Sequence, residues 1–186
     1  MMRKLVTASL LAAIFSFGVF AERGDASCFE AGCFELSPFA GIGMPDSYGT
    51  LDPGDDLLVG LRLGHFVTDQ FSVEASAQRL FSETAANTDA DISSLRLNLL
   101  WNFLEGNFRP FVTVGGGAEF HDFSGNFSRQ DPSANAGLGF RYLFAENLGF
   151  RFDGRYVYTD VGGVVADAQS NLEVTGGLTI GLDARG

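Results

Sequence analysis

From Phe34 onward apolar and polar positions alternate with a period of two, in eight runs separated by turn-forming residues. The runs are Phe34–Met44, Leu57–Val67, Phe71–Phe81, Ile92–Phe103, Phe108–Phe120, Ala134–Phe144, Leu148–Tyr158 and Leu172–Leu182. Each is eleven to thirteen residues long, more than a typical globular strand. That length suits a tilted strand crossing a bilayer, which needs about 9–11 residues.

The connections alternate too. Thr68-Asp69-Gln70, Leu104–Asn107 and Ala145-Glu146-Asn147 are tight, whereas Pro45–Asp56, Ser82–Asp91, His121–Asp131 and Thr159–Ser170 are long and polar. Short turns at one end and long loops at the other predict an all-β chain: an eight-stranded antiparallel up-and-down transmembrane β-barrel over 34–182. An even strand count puts both termini at the short-turn, periplasmic end.

The two parities differ in chemistry. One carries Leu57, Val59, Leu61 and Leu63, then Leu95, Leu97, Leu99 and Trp101, and continues through Phe150, Phe152, Val174, Leu178 and Ile180. Arg79 is its one charge, near a strand end where it can reach the interface. Phe71, Trp101 and Phe103 by the short turns, and Phe81, Phe120, Tyr156 and Tyr158 by the loops, predict two interfacial aromatic girdles.

The other parity carries Glu35, Arg62, Glu74, Arg96, Arg109, Glu119, Arg141, Arg151, Asp153, Arg155 and Glu173, interspersed with Gly60, Gly64, Gly115, Gly117, Gly137 and Gly139. An eight-stranded barrel is only wide enough inside to be filled by side chains. Glycines leave room there for long ions, and near balance of sign lets buried charges pair. Arginine suits the task because its planar fork binds carboxylates through two bonds. A soluble barrel around a lipid would invert the faces. It would leave the ion pairs outside, where they contribute little.

Residues 1–21 form a basic and then apolar stretch ending Val19-Phe20-Ala21, which predicts a cleaved signal peptide. Residues 22–33 are then a periplasmic N-terminal segment and 183–186 a C-terminal tail. Export makes Cys28 and Cys33 an expected disulfide. Arg23-Gly24-Asp25 is too short a motif to carry an adhesive function.

The formal charge of −11 excludes a nucleic-acid binder, which needs a basic surface. Most of the acidity falls in the four long connections. Asp46, Asp52, Asp55 and Asp56 cluster in the first, but match no defined calcium loop, so no metal is expected. Gly115-Gly116-Gly117 lies inside a strand and is no phosphate cradle.

Four stretches in the second half carry a family resemblance: Arg109-Pro110-Phe111-Val112-Thr113-Val114-Gly115-Gly116-Gly117, Asn135-Ala136-Gly137-Leu138-Gly139-Phe140-Arg141-Tyr142, Leu148-Gly149-Phe150-Arg151-Phe152-Asp153-Gly154-Arg155-Tyr156 and Asn171-Leu172-Glu173-Val174-Thr175-Gly176-Gly177-Leu178-Thr179. In order and spacing they resemble the OmpA-like outer-membrane β-barrel family, over about 34–182. The resemblance implies insertion by the barrel-insertion machinery, and lumenal ion pairs that block a pore. It departs at the end of the last strand, where many bacterial barrels carry an aromatic residue and this chain has Leu182 before a polar tail.

Some eight-stranded barrels are lipid A deacylases, with His, Ser and an acid at the rim. Here His121 and Ser124 are three apart and Gly125-Asn126 reverses the family's Asn-Gly pair, so no enzyme activity and no cofactor are expected. The leading expectation is a structural, monomeric outer-membrane protein of a Gram-negative bacterium, surrounded by outer-membrane lipid and lipopolysaccharide. The alternatives are a narrow channel for small solutes, and then a surface adhesion or ligand-binding barrel.

Overall fold

The structure is a computed structural model that describes residues 28–45, 56–83, 89–123, 127–161 and 167–183. Every regular element among them is a strand: β1 (Phe34–Pro45), β2 (Asp56–Phe66), β3 (Phe71–Glu83), β4 (Asp89–Asn102), β5 (Phe108–Phe123), β6 (Phe127–Ala145), β7 (Leu148–Val161) and β8 (Asp167–Leu182). Each pairs antiparallel with its sequence neighbour, and β1 pairs with β8, closing the barrel. Closure leaves no open edge for another chain to extend.

The register fixes the shape. Directly paired residues run from Phe34 through His65, Val73, Leu99, Val114, Ala136, Tyr156 and Leu172, and return to β1 at Met44, ten residues further along. Ten residues of about 3.3 Å set against eight strand spacings of about 4.8 Å tilt the strands by about 40° from the barrel axis. Each residue then climbs about 2.5 Å, so eleven residues cross roughly the 25 Å apolar band of an outer-membrane barrel.

The pleat sorts side chains. Leu97, Leu138, Val114, Phe152 and Leu63 stand exposed on the outer wall, with Leu97 at 65% and Leu138 at 69%. Buried positions are instead dominated by Arg, Glu, Asp, Asn, Ser and Thr. The fold is therefore apolar outside and polar inside, as a protein with lipid for solvent requires.

Tight turns close the short end. Gly106 adopts φ 97° between β4 and β5, a conformation other residues rarely take. The Thr68 hydroxyl accepts the Phe71 amide at 2.9 Å in the β2–β3 turn.

One expectation is corrected here. The long connections are shorter than the alternation suggested. β5 and β6 run on until Phe123 pairs with Phe127, so most of the expected third loop is a strand hairpin. Likewise β3 reaches Glu83, β4 begins at Asp89, β7 extends to Val161 and β8 begins at Asp167. Cys28 and Cys33, expected as a disulfide, are not joined to each other in the structure. They lie at opposite ends of a turn tied to different strands. Cys28 packs by Gly181 of β8 and its amide meets Glu146 O at 3.4 Å, whereas Cys33 O accepts the Phe66 amide of β2 at 2.9 Å.

Candidate functional site

The chemistry-bearing residues fill the barrel in two ion clusters, stacked from the short-turn end. In the lower cluster Glu35 of β1 takes Arg141 at 2.8 Å and Arg151 at 3.1 Å. It also accepts the hydroxyls of Ser37 at 2.8 Å and Thr179 at 2.7 Å. Glu74 of β3 binds Arg151 at 2.6 Å and Arg155 at 2.9 Å. Asp153 of β7 binds Arg155 at 2.9 Å, Arg62 at 3.1 Å and Arg151 at 3.2 Å. Arg151 thus bridges all three carboxylates, which belong to three different strands. No lone ion pair could make these buried charges tolerable, since each would keep several kcal/mol of desolvation cost. The network offsets that by giving each carboxylate several donors.

The upper cluster is smaller. Arg96 of β4 holds Glu173 of β8 at 2.8 Å and Glu119 of β5 at 3.0 Å, and Gln78 donates to Glu173 at 2.9 Å. Between the clusters, Asn135 donates to Asn98 at 3.0 Å, and Asn98 to Glu74 at 3.3 Å.

Glycine makes the room. A Cβ on Gly117 would come within 2.8 Å of Arg96 Cγ, and one on Gly137 within 2.9 Å of Arg155 Cγ. Either would push the neighbouring arginine out of its pairing.

Several contributors escaped the sequence reading. Phe39 lies under the Arg62 guanidinium at 3.7 Å, and Phe111 lies 4.7 Å from Arg141 and 4.8 Å from Arg151. These rings face inward, and their parity with Glu35 and Arg109 was the available signal. Asp131, placed by the sequence in a loop, stands on β6 with its side chain buried inside.

Phe29 had no periodic signal at all. It is fully buried at the short-turn mouth, edge-on to Phe66 at 6.2 Å and packed with Leu143. Arg109 donates to its carbonyl and to Gly106 O. Gly32 N donates to Phe66 O at 2.8 Å and Ala31 N to Asp69 Oδ1 at 2.9 Å. Residues 28–33 therefore form a strap across this mouth, and Arg109 belongs to the strap rather than to either ion cluster.

On the outer face Phe71 stacks with Trp101 at 6.2 Å, and Trp101 tilts against Phe103 at 4.8 Å. Phe81, Tyr156 and Tyr158 are exposed towards the loop end and Phe120 is half-buried. His65 sits outside against Phe34 at 4.6 Å. Glu119, two residues before His121, is bound to Arg96, while Ser124 and the side chain of His121 lie outside the described residues. So do Asp46, Asp52, Asp55 and Arg23-Gly24-Asp25.

The family model of the outer membrane protein beta-barrel domain matches residues 8–185. Among solved structures the chain is similar to Neisserial surface protein A, with a TM-score of 0.68, 14% identity, and 81% of this chain and 99% of that one covered. It is similar to OprG of Pseudomonas aeruginosa, with a TM-score of 0.57, 18% identity, and coverage of 83% and 98%. It is also similar to the N-terminal β-barrel domain of OprF from Pseudomonas aeruginosa, with a TM-score of 0.53, 19% identity, and coverage of 80% and 98%. At such identities the likeness is one of fold. Sequence comparison with curated proteins finds no match. The family match spans nearly the whole chain and the closed eight-stranded architecture agrees with it, so the chain belongs to the family of outer membrane protein β-barrel domains.

Proposed function

We propose that this protein is a closed, structural barrel of the Gram-negative outer membrane. Its short turns and termini face the periplasm and its long connections face outward. One observation carries the reading: the interior is crossed by side chains that bind one another. Arg151 joins Glu35, Glu74 and Asp153 across the barrel, Arg96 joins Glu119 to Glu173 above them, and Phe29 covers the mouth below. Opening a solute path would part buried ion pairs, at about 3–5 kcal/mol for each charge left unpaired. A monomer suffices, because closure satisfies every strand. Its surroundings are lipid and lipopolysaccharide, with the insertion machinery as a transient partner. Planar-bilayer recording of the purified, folded protein tests this. Conductance at background supports a closed barrel, and stepwise conductance from pure protein would instead establish the narrow channel.

A further inference from the structure

We propose, resting on the closed-barrel reading, that the lower ion cluster is a clamp on a weak seam. The barrel wall parts most readily between β1 and β8, at Ser37 and Pro38, and the buried charges hold these strands together from inside. The pairing itself is interrupted there. β1 pairs with β8 from Phe34 to Leu36 and again from Phe39 to Pro45, in one register, and among the described residues Ser37 and Pro38 have no paired residue on β8. Towards β2 the same two residues pair with Arg62 and Leu61 without a break.

Proline is the cause. It has no N–H to give, so within sheets it belongs at edges and ladder ends. Pro110 and Pro132 obey: the β4–β5 ladder stops at Phe111, and the β6–β7 ladder starts at Ser133. Pro38 stands in the middle of its ladder. Its carbonyl faces β8, because a Cβ on Gly177 would run into Pro38 O. In a strand the N–H and C=O of one residue point to the same neighbour, so the donor is missing from the seam. The ladders β2–β3, β3–β4, β4–β5, β5–β6 and β7–β8 run through without a gap, and the β6–β7 irregularity lies at the short-turn end, between Leu143 and Ala145.

The interior bridges this gap. Ser37 Oγ lies 3.0 Å from Thr179 Oγ1 of β8, and both hydroxyls donate to Glu35 of β1, at 2.8 and 2.7 Å. Glu35 reaches past β8 to Arg141 of β6 at 2.8 Å and Arg151 of β7 at 3.1 Å. From β2, Arg62 crosses to Thr175 of β8 at 2.8 Å and Asp153 of β7 at 3.1 Å. Charge-assisted bonds are roughly twice as strong as neutral ones. Here they join β1 and β2 to β6, β7 and β8, the direction in which the backbone is short of bonds. Parting the seam would take Glu35 and Arg62 from these partners, so the cluster opposes opening and its loss releases the seam.

Hydrogen exchange of the full chain folded in detergent micelles reads the seam amide by amide. By strand alternation the amides of Leu36 and Ala40 face β8, and those of Ile180 and Gly176 face back. In the unaltered protein these four should exchange faster than amides midway along the β3–β4 ladder. Glu35→Gln should speed them about a hundredfold or more, as breaking a buried pair from one side does, while β3–β4 stays protected. Glu119→Gln, whose Arg96 pair joins the adjacent strands β4 and β5, should leave them unchanged. Pro38→Val returns the amide donor and should slow seam exchange about fivefold. Gel migration that shifts on heating checks that each variant folds, and if Glu35→Gln does not, the unaltered protein and Pro38→Val decide. The proposal falls if the seam amides are as protected as those of β3–β4, if Glu35→Gln loosens all ladders alike, if Glu119→Gln loosens the seam as much, or if Pro38→Val does not slow its exchange. Any of these with conductance at background overturns the clamp alone, whereas stepwise conductance overturns the closed barrel.

Discussion

Arg151 concentrates the energetics of the interior, because one guanidinium reaches carboxylates on three strands. Arg151→Met keeps much of the volume but leaves Glu35 and Glu74 each short of a donor. The expected cost is about 3–5 kcal/mol, the usual penalty for breaking a buried pair from one side. Urea titration of the protein folded in lipid vesicles measures it, and a loss under 1 kcal/mol would mean that water screens the network. The inward parity of these charges is legible in the sequence, since each stands between outward Leu, Val or Phe. Their partners are not. Arg141 and Glu35 are 106 residues apart, and which of them meet depends on the barrel stagger, which no local pattern encodes. Asp131 shows the other limit. It lies among polar neighbours, so nothing in its surroundings distinguishes a buried strand position from a loop.

At the scale of elements, alternation marks a strand only where its two faces meet different solvents. Inside the membrane β5 and β6 show it clearly, as Val112 and Val114 point out and Thr113 points in. Beyond the membrane both faces of a hairpin meet water, the period of two disappears, and strand reads as loop. That is why 121–131 read as a connection although Phe123 pairs with Phe127. The strap is illegible for a different reason. A single apolar anchor, Phe29, has no period. Phe29→Ala should remove about 3–5 kcal/mol of packing. The cost should fall on the strap, because the barrel hydrogen bonds do not pass through it. Hydrogen exchange tests this directly: the Gly32 amide, bound to Phe66 O, should lose protection while β3 and β4 amides keep theirs. Equal loss throughout would show that the strap and the barrel unfold as one unit.

The whole molecule inverts the usual arrangement, and that inversion makes depth the variable that decides what a wall position tolerates. The ten-residue stagger tilts every strand, so height must be read along the register and not from sequence position alone. Leu97 pairs with Ala75 and Gly116, near the middle of β3 and β5, and is highly exposed on the outer wall. Phe81 pairs with Leu57 at the loop end of β2. In water both positions would accept arginine with little effect. In a bilayer an outward arginine at mid-depth costs about 2–4 kcal/mol, falling to about 0–1 near the interface, where the guanidinium snorkels to the head groups. Arg79, two residues from Phe81 and with its guanidinium 5.4 Å from that ring, already occupies this tolerant zone. Leu97→Arg should therefore lower unfolding stability in lipid vesicles by about 2–4 kcal/mol and Phe81→Arg by under about 1 beyond the lost aromatic packing. Equal costs at the two depths would mean that the apolar wall does not lie across a membrane, and would remove the ground for an outer-membrane barrel more directly than any result from the interior.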